Sequence, residues 1–425
     1  MPSVYRSPGM PALMLVTLVG FTGYAVLLPT APLWAIRGGA DLAGAGLVNG
    51  VVLLFTVLTQ PVVPGLLRRV GWGPVLAVGV ALMGLPSLAH LATDALTPTL
   101  VLSAVRGLGF GVLTVTGSAA VAELVDPRRR GAAVGAYGLA IAIPQVALLP
   151  VAPWLAERVS FGVVFALGAL PLLGIPGALV LGRHILGLSS GPTLTDTVSS
   201  PVTSDAGTSS PVTSDAGTSG TGTSSGSASR AGGSGAGRGV LGGIGPLLPP
   251  MLLLLGITLP GGALLTFAPQ LVSDPALVVA MLVALNATAA LSRWRIGSLA
   301  DISGPRPFVA PLVIVGALGT AVVALGVRQD SPVMLLVASA VLGIAYGGLQ
   351  NLTLLLAFAA VERERYGTAS AVWNIGFDLG TGLGSVLIGA IAAGADFPTA
   401  LLVAAAITAA TLPLTLVGRR ARAAA

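Results

Sequence analysis

In a chain of 425 residues only 8% are charged and 54% are hydrophobic, whereas a soluble domain carries roughly a quarter charged residues. The apolar residues fall in runs of about 20, long enough to cross ~30 Å of hydrocarbon. A soluble globular fold is therefore excluded and an all-α integral membrane protein is expected. The net charge of +6 comes from arginine, since all 21 basic residues are Arg and none is Lys. With no cysteine present, disulfides, thiolate catalysis and thiolate metal sites are excluded.

Taken in order, the runs predict twelve transmembrane helices: 11–36, 43–66, 74–92, 98–124, 131–154, 160–184, 245–269, 275–292, 307–327, 332–360, 367–392 and 397–417. Lipid cannot satisfy open backbone groups, so helices are the economical choice. The first run is too long for a cleavable signal peptide, and no small-residue cleavage site follows it. Pro29, Pro32, Pro144, Pro150 and Pro260 fall inside the runs, as expected where helices bend around a cavity. Between the sixth and seventh runs the composition changes to Ser, Thr, Gly and Ala, and SSPVTSDAGT occurs twice in tandem, from Ser199 and Ser209. Such a segment cannot bury enough surface to offset its ordering entropy, which predicts a flexible linker over 187–243 between bundles at 1–186 and 244–425.

Arginine sets the orientation. With the N-terminus in the cytoplasm, the loops on that side hold Arg68, Arg69, Arg128, Arg129, Arg130, Arg183, Arg293, Arg295, Arg306, Arg363 and Arg365, and the opposite side only Arg37, Arg158 and Arg328. The expectation is a multi-pass protein of a bacterial inner (plasma) membrane with both termini cytoplasmic. The positive charge then reads as topology and not as nucleic-acid binding.

The chain is also duplicated. Ser103–Gly111 reads SAVRGLGFG and Ser339–Gly347 reads SAVLGIAYG, identical at five of nine positions, and the offset of 236 goes on to pair Gly131 with Gly367, Ala133 with Ala369 and Tyr137 with Trp373. A helix pair repeated in one orientation points to two pseudo-symmetric halves of a transporter. The copies differ where Arg106 faces Leu342 and Asp378 faces Ala142.

In the second half, Gly297-Ser298-Leu299-Ala300-Asp301-Ile302-Ser303-Gly304-Pro305-Arg306 follows a G-x-L-A-D-R-x-G-R loop, and in the first half Pro64-Gly65-Leu66-Leu67-Arg68-Arg69-Val70-Gly71 keeps the frame with Arg68 in place of the acid. These loops, six spans plus linker plus six spans, and Arg106 on the fourth span resemble the major facilitator superfamily, and within it the drug-efflux-type, drug:proton antiporter members. Pro144, Pro150 and Pro153 fall where antiporters carry a glycine–proline motif, without its glycines, and no acid lies in the first span. The resemblance implies a fold of two six-helix bundles and alternating access.

An ionisable residue inside a span faces the bundle interior or water by default. That makes Arg106, flanked by Gly107 and Gly109, a candidate for orienting substrate or modulating a proton. Burial disfavours the charged form of a carboxylic acid, which makes Asp378 the candidate proton carrier. Polar and aromatic residues nearest mid-span complete the expected binding site: Tyr24, Asn49, Gln145, Asn286, Tyr346, Trp373 and Asn374. By the resemblance, Asp301 would sit at the start of the helix beginning at Gly131, beside Arg128–Arg130, and latch one conformation. In the pseudo-symmetric place Arg68 or Arg69 would pair with Glu362 or Glu364, a charge-swapped latch. No phosphate loop, metal-ligand cluster or nucleophile constellation appears, so no cofactor, metal, ATP coupling or enzymatic activity is expected. The leading reading is proton-coupled export of a small, apolar or weakly polar compound by a monomer, one chain supplying both halves. The alternative is an importer or facilitator of a specific small polar metabolite, with Arg106 holding a carboxylate.

Overall fold

The computed structural model describes residues 8–124, 130–189, 245–362 and 365–416, with no strand among the described residues. Among the described residues twelve helical segments are long and apolar enough to cross a membrane. The first half contains α1 (Met10–Arg37), α2 (Leu42–Thr59), α3 (Trp72–Ala92), α4 (Leu96–Val121), α5 (Tyr137–Arg158) and α6 (Phe161–Gly187). The second contains α7 (Gly245–Leu271), α8 (Pro275–Gly297), α9 (Arg306–Arg328), α10 (Pro332–Ala359), α11 (Thr368–Gly394) and α12 (Phe397–Leu416). The two halves pack into one compact unit.

Two boundaries differ from the expected spans. α2 stops at Thr59 and not at 66, because Pro61 and Pro64 cannot continue its hydrogen-bond ladder, and Val63–Val70 forms a separate short helix carrying Arg68 and Arg69. The eighth span does not end at 292, as its charge pattern predicts: one unbroken helix runs from Pro275 to Ser303. Arginine is a good helix former, and its long stem lets the charge reach water from within a span.

Alternate crossing brings the starts of α2, α6, α8, α10 and α12 to one face, and each is capped there by its own side chain: Asp41, Ser160, Asp274, Ser331 and Asp396. Such caps satisfy amides that the first helical turn leaves open. The exposed Asp396 carboxyl is held below the usual carboxylate range by the Thr399 amide, which donates to Oδ1 at 2.7 Å. Because this folded-state shift is downward, the cap is intact at neutral pH and is lost only as pH falls through that lowered range.

Packing reproduces the duplication atom for atom in places. A Cβ on Gly107 or Gly111 of α4 would run into the carbonyls of Val52 and Thr56 on α2. On the repeat-related pair, Gly343 and Gly347 of α10 meet the carbonyls of Leu285 and Ala289 on α8. Hydroxyls close the same contacts: Thr56 Oγ1 donates to Gly107 O at 3.2 Å, Thr288 Oγ1 to Ala340 O at 2.9 Å and Ser292 Oγ to Ile344 O at 2.6 Å. Small residues that let backbones approach, plus cross-helix hydrogen bonds, are what hold helices together where the solvent is itself apolar.

The halves meet chiefly along α2 and α11. Gly46 lies against the Ser385 backbone, Gly50 against Val386, Gly382 against Leu53 and Gly389 against the Leu42 backbone. α1 also packs on α7, and Ala152–Arg158 at the end of α5 packs on α8, whereas α4 and α10 are not packed on each other. Gly347→Val should therefore cost on the order of 1–3 kcal/mol through overpacking of the α8–α10 pair. Gly138→Val, with no atom within 4 Å of its added Cβ, should be much milder; thermal unfolding of the two variants in detergent checks this, and equal losses would contradict the packing account.

Candidate functional site

The α2–α11 seam ends where α2 does, at Gln60. Beyond it α11 continues without that partner, and Trp373, Asn374 and Phe377 face a cavity of about 220 Å³ lined by both halves. The first half contributes Phe21, Tyr24 and Leu28 from α1, Phe110 and Thr114 from α4, and a stripe from Ile141 to Leu149 on α5. The second contributes Leu265, Asn286, Ala289, Ala290, Arg293, Tyr346, Gln350, Asp378 and Thr381, besides the three α11 residues already named.

The walls are aromatic. Tyr24 and Phe110 stack with ring centres 4.2 Å apart, and Phe21 meets Phe110 edge-on at 5.4 Å. Across the cavity Trp373 stacks on Phe377 at 5.9 Å, and its Nε1–H donates to Thr353 Oγ1 at 3.1 Å, which fixes the indole plane. Stacked pairs of this kind add to area burial and present flat apolar faces to a ligand.

Asp378 is 6% exposed. Gln60 Nε2 donates to its Oδ2 at 2.8 Å across 318 residues of sequence, joining the first half to the second at the floor of the seam. A buried carboxylate needs such a partner, because an unpaired charge in hydrocarbon is costly.

Of the expected binding residues, Tyr24, Gln145, Asn286, Tyr346, Trp373 and Asn374 line the cavity, as does Asp378, the expected proton carrier. Asn286 and Asn374 each spend one amide donor on their own helix, to Leu282 O at 2.8 Å and Ser370 O at 2.9 Å. Asn49 is not in the lining: 1% exposed, it donates to Leu28 O at 2.7 Å and to Thr266 Oγ1 at 2.9 Å, tying α2 to α1 and α7. Thr266 shares a further hydrogen bond of 2.7 Å with Ser385 of α11. Arg106 is also outside the lining, buried in the first half one turn from Phe110. It shares a face of α4 with Thr99 and Ser103, whose hydroxyls, like both ring nitrogens of the buried His90, have no hydrogen-bond partner among the described residues.

Arg68, Arg69 and Glu362 are exposed and form no ion pair among the described residues. Glu364 and the side chain of Asp301 lie outside the described residues, as do the side chains of Arg128–Arg130. What the sequence reading leaves out is the apolar part of the wall, Phe21, Phe110 and Phe377, and Arg293, read there as a loop residue; Gln60 and Gln350 count there as polar in-span residues but not as those nearest mid-span. Arg293 carried a signal: Asn286, Ala290 and Arg293 recur at helical spacing on one face of α8.

A model of the Major Facilitator Superfamily matches residues 13–193 and 242–425. The chain belongs to the major facilitator superfamily. It is 28% identical over 169 residues to a probable 4-methylmuconolactone transporter of Cupriavidus pinatubonensis, a match covering 38% of this chain and 37% of that one. Among solved structures, this superfamily member is similar in fold to a bacterial homologue of the human lysosomal transporter Spinster in its inward-facing, occupied conformation. That likeness has a TM-score of 0.70 at 13% identity and covers 99% of this chain and 98% of the other. The nucleoside transporter NupG is similar with a TM-score of 0.68 at 12% identity, over 96% and 98% of the two chains.

Asn49→Ala should leave ligand affinity at the cavity within about twofold while destabilising the fold by roughly 1–3 kcal/mol, the cost of stranding buried acceptors. Calorimetric binding and thermal unfolding on one preparation check both halves of this expectation.

Proposed function

We propose that the chain is a secondary transporter that moves a small, largely apolar compound across the bacterial inner membrane by alternating access, coupled to protons through Asp378. The observation that carries this is the Gln60–Asp378 hydrogen bond. The cavity's carboxylate is held by the opposite half, so a change of protonation acts directly on the contact between the two halves. Rocking two bundles around a fixed central site is the mode open to a chain built from two parallel repeats.

The orientation we propose places both termini, the Arg-bearing loops and the 187–243 linker in the cytoplasm. The capped helix starts and the closed end of the α2–α11 seam then face outward, and the cavity is reached from within. Asp301 beside the start of α5, and Arg68 or Arg69 beside Glu362 and Glu364, are the proposed latches of the opposite conformation, in which the inner ends would close. Arg106 is proposed to act from behind the cavity wall on the polar groups of the first half.

The drug-efflux resemblance carries the export direction, in which proton and substrate exclude one another. A second reading, uptake of a small polar metabolite, is favoured by one observation: a cation, Arg293, lines the cavity. The sign of the proton change separates them. Adding substrate to weakly buffered, detergent-solubilised protein should release protons if the two ligands compete and take them up if they bind together. In either case the signal should vanish in Asp378→Asn while substrate binding persists, and a signal unchanged by that substitution would remove Asp378 from the mechanism.

Reversing Arg68 to Asp should lower the transport rate several-fold, since a latch alters the populations of the two conformations. Flux and binding assays on reconstituted protein check it; an unchanged flux removes Arg68 from the gate.

A further inference from the structure

Arg293 belongs to α8, which the α10 glycines and the Thr288 and Ser292 hydroxyls lock in place. Its own carbonyl accepts from Asn351 Nδ2 of α10 at 2.9 Å. The backbone that carries the guanidinium is thus held at three successive turns. The side chain is exposed by area although the residue sits within a membrane-spanning helix, because the space it meets is the cavity. It forms no ion pair among the described residues, and the cavity's carboxylate, Asp378, takes its hydrogen bond from Gln60 instead. Gln350, also in the lining, is 1% exposed, with its amide beside the Tyr346 hydroxyl.

A cation in such a place has a cost unless something neutralises it. A guanidinium offers a planar fork of donors that matches a carboxylate in two-point contact, and such charge-assisted bonds are roughly twice as strong as neutral ones. Gln350 borders the same space. Opposite these groups the stacked faces of Tyr24–Phe110 and Trp373–Phe377 suit a flat, apolar body. We infer that the substrate is a small amphipathic organic anion, an aromatic or unsaturated carboxylate whose charge is held by Arg293 and whose body lies between the two aromatic walls. This rests on the reading of the cavity as the transport site and sharpens its substrate class.

The test uses the purified full chain in detergent and three matched pairs of probes: benzoate and benzamide, cinnamate and cinnamamide, 4-phenylbutyrate and 4-phenylbutyramide. Isothermal titration at neutral pH should show at least one acid binding about tenfold or more tightly than its amide, the gain expected of a hydrogen bond to a charged group. Arg293→Gln should abolish that preference, Arg293→Lys should keep part of it, and Arg295→Gln, whose guanidinium lies over the Trp294 ring, should keep all of it. Acid and amide binding alike, no acid binding, or a preference that survives Arg293→Gln would each overturn the inference. Should Arg293→Gln fail to fold, the wild-type acid-to-amide ratio and the lysine variant still decide. The proton reading fails separately: an acid preference that persists in Asp378→Asn alongside an unchanged proton signal sinks the role of Asp378 and leaves Arg293 in place. Loss of the proton signal in Asp378→Asn without any acid preference does the reverse.

Discussion

Backbone contact between α2 and α11 decides where this molecule is closed, and the point at which that contact stops decides where it is open. Gly46 and Gly389 meet the backbone of the partner helix directly, and Gly50 and Gly382 make room for the side chains of Val386 and Leu53. In lipid there is no hydrophobic drive to bring helices together, so close van der Waals approach and hydrogen bonds across the interface carry the association. Pro61 then ends α2, and the polar bond from Gln60 to Asp378 is the last link before the halves diverge. Trp373, Asn374 and Phe377 line a cavity because they lie on the stretch of α11 that has outrun its partner.

The same logic explains why the two halves serve different purposes despite their common plan. Each keeps the glycine-mediated pair, α2 with α4 and α8 with α10, so each is stiff within itself. The departures from symmetry are chemical. Arg106 stands where the second half has a leucine and is buried on a helix face with Thr99 and Ser103, whose hydroxyls have no partner among the described residues. The acid Asp378 in the second half borders the cavity and takes its hydrogen bond from Gln60. Rigid bodies with their ionisable groups near the common interface can convert a local protonation or binding event into a relative movement, because packed interfaces switch between arrangements and do not deform continuously.

The span count and the helix pairing were legible in the sequence because hydrocarbon imposes a length and the repeat imposes a partner. Asp378 stood out for the same reason that it costs energy: a carboxylate among apolar residues is a contrast that composition reveals. Phe21, Phe110 and Phe377 gave no such contrast, being apolar residues in apolar runs. Asn49 and Asn286 looked alike in sequence, both amides at mid-span; only the fold shows that one is spent on Leu28 and Thr266 and the other borders the cavity. Gln60 could not be singled out, since what matters about it is an acceptor 318 residues away. Arg293 escaped because a charge reads as the end of a span, whereas a long arginine stem lets the helix run on and brings its charge to the cavity.

Two opposite charges in one cavity that do not pair set the sign of any coupling between them. Gln60 holds Asp378 at the seam, and α10 holds Arg293 on the far wall of the second half, so the protein does not neutralise its own cation. An anion seated in the cavity would bring a like charge near Asp378 and disfavour its ionised form. Proton and anion would then bind more readily together than alone, and by linkage each would raise the affinity for the other. A neutral substrate that needed the amide of Gln60 or the space beside Asp378 would instead compete with the ionised arrangement. The chemistry of the ligand, through Arg293, thus bears on whether this fold exchanges or co-transports, and an anionic substrate favours co-transport over the exchange that the drug-efflux resemblance implies.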